Sequence, residues 1–122
     1  MGLDMYAFVT DEKPTKEVDF PEPEKIEQLH YWRKHPDLHG WMEQLYATKG
    51  GSNPDFDLDP LMLTSHDLDQ LEAAIREKNL PETSGLFFGE SDGSEIDDDL
   101  EFVGKARAAI GQGRTVFYLA WW

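Results

Sequence analysis

The hydrophobic period of this chain changes along its length, and that change limits the possible fold more than any other feature. At the start, Leu3, Met5, Ala7 and Val9 alternate with Asp4, Tyr6 and Phe8. A period of two puts the first set on one face of a strand and the second set on the other. At the far end, Thr115 to Trp122 is β-branched and aromatic, and reads as a closing strand. Between them the period becomes helical. Leu38, Trp41, Met42, Leu45 and Tyr46 form an i, i+3, i+4, i+7, i+8 stripe that starts after Pro36 and stops at Gly50-Gly51. Leu68, Leu71 and Ile75 mark a second helix, with Thr64 as its N-cap and Asp67 in its acidic first turn, running to about Lys78. A third helix is expected over residues 96–110, with Leu100, Val103, Ala106 and Ile110 inward and Gly111 and Gly113 ending it.

The remaining segments complete the order. Residues 10–25 hold three prolines and many charges and read as an exposed loop. Residues 26–33 read as a strand, with a short helix as the alternative, and Leu61-Met62-Leu63 as a short apolar strand. Residues 51–60 and 79–95 are loops. The order β-β-α-β-α-α-β implies an α+β fold: a small antiparallel or mixed sheet of four strands with three helices mainly on one face. The first and last strands are expected to be neighbours at the sheet centre.

The 122 residues suit one domain spanning 1–122, and at 39% hydrophobic and 12% aromatic the chain can build a core without staples. It contains no cysteine, so disulfides, thiolate metal sites and cysteine catalysis are excluded. No apolar run approaches the roughly 18 residues a membrane span needs. The first residues lack a signal peptide's basic start and apolar core. Gly2 stands where a myristoylation start needs it, but Tyr6 replaces the required Ser or Thr, so that reading is set aside. The expected location is cytoplasmic. The net charge of −14, from 25 acids against 11 bases, argues against direct nucleic-acid binding and against anionic membranes. It fits either simple solubility or an acidic surface that meets a basic partner, even as a mimic of nucleic acid.

Chemistry-bearing residues concentrate in Leu29–Trp41, which holds three of the four histidines and two of the four tryptophans. His35 and His39 are four apart, a zinc-helix spacing, but Pro36 biases His35 out of helical geometry and no zincin glutamate lies between them. Two readings of the block remain. In one, His39 packs beside Trp41 at a helix start with a ring nitrogen bonded to the backbone. In the other, Arg33 binds an anion before a helix N-terminus, and His39 gives or takes a proton. Asp4 is the carboxylate partner in that site, Tyr31 joins the ligand-binding set, and Trp32 or Trp41 forms a wall.

Residues 90–101 hold seven acids and no base. An EF-hand fails on register: with Gly93 at the sixth loop position, the first ligand would be Phe88 and the apolar eighth position Glu95. Glu90, Asp92, Asp97 and Asp99 stay as candidates for an irregular Ca²⁺ or Mg²⁺ site. The simpler roles are a contact surface, or Asp97, Asp98 and Asp99 favouring the positive end of the third helix. No cofactor is implied: the chain has no Walker A loop, no Gly-x-Gly-x-x-Gly and no nucleophile elbow. Trp121-Trp122 closes the core with one ring, and an exposed ring there would favour a homodimer.

The opening Met1-Gly2-Leu3-Asp4-Met5-Tyr6, the Tyr31-Trp32-Arg33-Lys34 block and His39-x-Trp41 resemble small uncharacterised proteins of bacteria and their phages. His35 and Pro36 stand where that family usually has small residues. The resemblance implies kinship and a set of polar residues that travel together, Asp4, Tyr31, Arg33 and His39, but no activity. The expectation is therefore a non-enzymatic interaction or accessory protein, of phage or mobile-element origin, that binds a basic partner. The alternative is a small anionic-ligand or catalytic domain built on Asp4, Arg33 and His39.

Overall fold

The structure, a computed structural model, describes residues 2–83, 91 and 93–122. Its elements are β1 (Asp4–Thr10), β2 (Glu27–Arg33), α1 (Pro36–Thr48), β3 (Leu61–Leu63), α2 (Ser65–Arg76), α3 (Ile96–Gly111) and β4 (Thr115–Trp121). The four strands form one antiparallel sheet in the order β2-β1-β4-β3. The expected α+β architecture is present, and β1 and β4 do lie side by side at its centre. Among the described residues, no helix is long and apolar enough to cross a membrane.

Strand alternation decides which side chains face the helices. Leu3, Met5, Ala7 and Val9 point into the core, as do Val116, Tyr118 and Ala120 of β4. They pack with Leu38, Met42 and Tyr46 of α1, Leu68, Leu71 and Ile75 of α2, and Phe102, Val103 and Ala106 of α3. The helices therefore cover one face of the sheet. α2 begins with a reciprocal capping box, in which the Asp67 amide donates to Thr64 Oγ1 and the Thr64 amide donates to Asp67 Oδ2.

Two details correct the sequence reading. The buried stripe of α3 runs through Asp99, Phe102, Val103, Ala106 and Ala109, and Leu100 and Ile110 are only partly covered. The helix is rotated so that Phe102 meets the Trp32 ring edge-on at 4.8 Å. The segment after β1 is also less exposed than its charge suggests. Val18 and Phe20 are buried, and the Met62 amide donates to the Glu17 carbonyl at 2.7 Å. Val18 bridges Leu61, so this segment shields the outer edge of β3.

Lys34, with φ at +55°, makes a left-handed turn that drops the chain from β2 onto the helical layer. His35 is then the N-cap residue of α1, and Pro36 opens the helix. Gly40 is required further along: a Cβ there would lie 1.9 Å from Thr83 Oγ1 and 2.9 Å from Thr83 Cβ. Gly40→Ala is therefore expected to lower stability by about 1–3 kcal/mol in urea unfolding, through overpacking. That outcome opposes the gain of about 1 kcal/mol that alanine brings at an uncrowded helical site.

Candidate functional site: an aromatic sheet face and a buried histidine cleft

Among the described residues, the second face of the sheet carries no helix. Tyr6 and Phe8 of β1, Tyr31 and Arg33 of β2, and Phe117, Leu119 and Trp121 of β4 point to it by alternation and register. The rings form a continuous platform. Tyr6 lies 4.6 Å from Trp121, 5.0 Å from Tyr31 and 5.6 Å from Phe8, and Phe8 lies 5.5 Å from Phe117. Phe20 closes over Phe117 edge-on. Beyond that cover the platform is open, with Tyr31 41%, Trp121 36% and neighbouring Leu58 60% exposed. Next to it a groove of about 310 Å³ is lined by Phe20, Leu58, Phe117 and Leu119, with Glu22 at its wall.

Asp4 sits at one corner of this platform. The Tyr31 hydroxyl donates to Asp4 Oδ1 at 2.7 Å, and Arg33 Nε lies 3.5 Å from the same oxygen. That bond raises the Tyr31 pKa above the ordinary tyrosine value, because it favours the neutral hydroxyl. Three of the expected site residues thus meet.

His39 does not join them. It is fully buried on the helical side of the sheet, where Nδ1 lies 2.7 Å from the Tyr118 hydroxyl. Its ring stacks on Phe56 and meets Trp122 edge-on. Burial pushes its pKa down to about 4. A site of Asp4, Arg33 and His39 is divided by the sheet itself. Trp32 also turns inward, because β2 alternates Tyr31 and Arg33 outward with His30 and Trp32 inward, and Trp41 packs against the core. Neither indole lines a site with Arg33.

The helical side holds a second cluster. Asp99, only 2% exposed, accepts from Trp32 Nε1–H at 3.0 Å and faces His35 Nε2 at 2.8 Å. His35 Nδ1 lies 2.6 Å from Ser91 Oγ, which also accepts the Asp37 amide at 3.1 Å. Burial alone would lower the His35 pKa. The hydrogen bond to Asp99 and the charges of Asp99, Glu95 and Asp37 outweigh it and leave the value raised. His35, Ser91 and Asp99 border a cleft of about 420 Å³, which Ile75, Leu80 and Ile96 line with apolar surface.

Asp99 has both oxygens engaged, and Asp97 is exposed in the first turn of α3. Glu90 and Asp92 lie outside the described residues. His30, Asp98 and Glu101 do bring donor atoms within 4.8 Å of one another. Lys105 Nζ stands 3.2 Å from His30 Nδ1, however, and donates to it. On the other side of the ring, His30 Nε2 lies 3.0 Å from Asp98 Oδ2. His30 thus bridges Asp98 and Lys105 through its two ring nitrogens.

The sequence pointed to the Leu29–Trp41 block but not to its division between two faces. His35 was the missed member. Its signal was a histidine held off the helix by Pro36, combined with a serine and a run of acids before another helix. No protein-family model, curated protein or solved structure matches this chain.

Proposed function

We propose that this is an acidic cytoplasmic interaction protein that docks a basic segment of a partner protein on its helix-free sheet face. The observation that supports this reading is the exposed Tyr31–Tyr6–Trp121 platform, with Asp4 at its corner and Glu22 in the adjoining groove, in a chain of net charge −14. Stacked tyrosine and tryptophan rings attract guanidinium and ammonium groups through their faces. The groove beside them suits the apolar stem of an arginine or lysine, with Glu22 available to its head. The overall negative potential speeds the encounter. An anionic ligand fits less well, because Asp4 stands next to Arg33 and already takes its charge.

The test is fluorescence-anisotropy titration with a dye-labelled arginine-rich peptide and an acidic control peptide. The basic peptide is expected to bind, weakening as salt rises. Trp121→Ala should weaken it about three- to thirtyfold, the equivalent of roughly 0.5–2 kcal/mol of cation–π and contact energy. Arg33→Ala should tighten it by freeing Asp4. Equal binding of the acidic peptide, or no effect of Trp121→Ala, contradicts the reading. A concentration-dependent dimer that masks the face would assign it to a second copy of this chain instead.

A further inference from the structure

The Ser91–His35–Asp99 cluster lies on the side of the sheet away from the aromatic platform and has no part in docking. We propose that it is a nucleophilic relay that hydrolyses small aliphatic esters, with Ser91 as nucleophile, His35 as base and Asp99 as the carboxylate that orients the ring. A nucleophile, a base within hydrogen-bond reach and a third group holding the base are the geometric signature of an activated hydroxyl. All three are present, at 2.6 Å from Ser91 Oγ to His35 Nδ1 and 2.8 Å from His35 Nε2 to Asp99 Oδ2. The imidazole is used with Nδ1 toward the serine and Nε2–H toward the carboxylate. Trp32 Nε1–H holds the other carboxylate oxygen, so Asp99 cannot turn away.

Two further features favour chemistry over simple bonding. Ser91 is only half-buried, and it borders the 420 Å³ cleft, so an acyl group can reach Oγ. Ile75, Leu80 and Ile96 give that cleft apolar lining suited to a short aliphatic chain. In the first step Oγ bonds to the ester carbonyl carbon, and its proton passes to His35 Nδ1. The tetrahedral oxyanion takes the Asp37 amide, which now donates to Oγ. His35 returns the proton to the departing alkoxide, which leaves as the alcohol. Water then attacks the acyl-serine, giving up a proton to His35. Collapse of that intermediate frees the carboxylic acid and restores the serine hydroxyl.

A fluorophosphonate probe and p-nitrophenyl butyrate, used on the full chain, test this. The wild-type protein is expected to form a covalent adduct that maps to Ser91, and to release p-nitrophenol. Ser91→Ala should lose the adduct and slow release at least about a hundredfold while staying folded. Labelling should rise with pH through a midpoint above the ordinary imidazole value of 6.5, because only neutral His35 accepts the proton. No adduct at Ser91, equal turnover by Ser91→Ala, or a flat pH profile each overturns the proposal. A purely structural serine would give the first of these together with a modest loss of stability in Ser91→Ala.

Discussion

Asp99→Ala is expected to lower unfolding stability by about 3–5 kcal/mol, the range for removing one partner of a buried ion pair. The carboxylate is 2% exposed and accepts from both the Trp32 indole and the His35 imidazole. Alanine would leave both donors in the core without an acceptor, and an unpaired buried donor costs about 1–3 kcal/mol on its own. The same carboxylate ties together the end of β2, the start of α1 and the start of α3, so the loss spreads beyond one contact. Asp99→Asn keeps an acceptor for Trp32 and is expected to fall between wild type and Asp99→Ala. Urea unfolding followed by tryptophan fluorescence measures all three. A loss below about 1 kcal/mol for Asp99→Ala would mean that water replaces the carboxylate.

Acid is expected to weaken the protein through His39. In the unfolded chain this ring titrates near 6.5, whereas in the folded protein burial lowers its pKa to about 4. The unfolded state therefore binds a proton first as pH drops. Stability present above pH 6.5 is lost as pH falls toward 4, and a shift of this size corresponds to about 3 kcal/mol. Asp19, whose carboxyl is held below its usual range by Tyr46 and Ser52 against the opposing effect of burial, adds to the acid loss. His35 acts in the opposite direction. Its raised folded-state pKa means that its contribution is complete below 6.5 and is lost as pH rises through the folded value. The two histidines together place a stability maximum near pH 6.5. His39→Gln should flatten the acid limb, and the His39 ring protons should titrate near pH 4 by NMR. A His39 midpoint near 6.5 would contradict the buried placement.

Most of the fold was legible because alternation and helical stripes are local properties. Leu3, Met5, Ala7 and Val9 announced the inner face of β1, and Thr64 with Asp67 announced the start of α2. Pro36 correctly marked both the opening of α1 and the exclusion of His35 from it. What escaped reading depends on contacts between distant segments. Asp99 looked like one more acid favouring a helix N-terminus, and nothing in Asp97-Asp98-Asp99 says which member turns inward. That choice is made by Phe102, three residues on, which packs on Trp32. Asp4, Tyr31 and Arg33 could be grouped, but placing them on the open face needed the β1–β2 register, in which Asp4 pairs with Arg33 and Tyr6 with Tyr31. His39 belonged to the same block but sits on α1, whose buried face packs against the inner side of the sheet beside Tyr118. Val18 and Phe20 were hidden among prolines and charges, and gained their meaning only from β3 and Phe117.

The docking of a basic segment on the sheet face is tested most directly by NMR titration of the isotopically labelled protein with the arginine-rich peptide. The tryptophan indoles report both sides of the sheet, since Trp121 lies on the open platform and Trp32 is buried against Asp99. The docking reading requires the Trp121 indole and the Tyr6, Tyr31 and Leu119 amides to shift together, with the Trp32 indole unmoved. Shifts centred on Trp32 and α3, or no movement of Trp121 at saturating peptide, would contradict it.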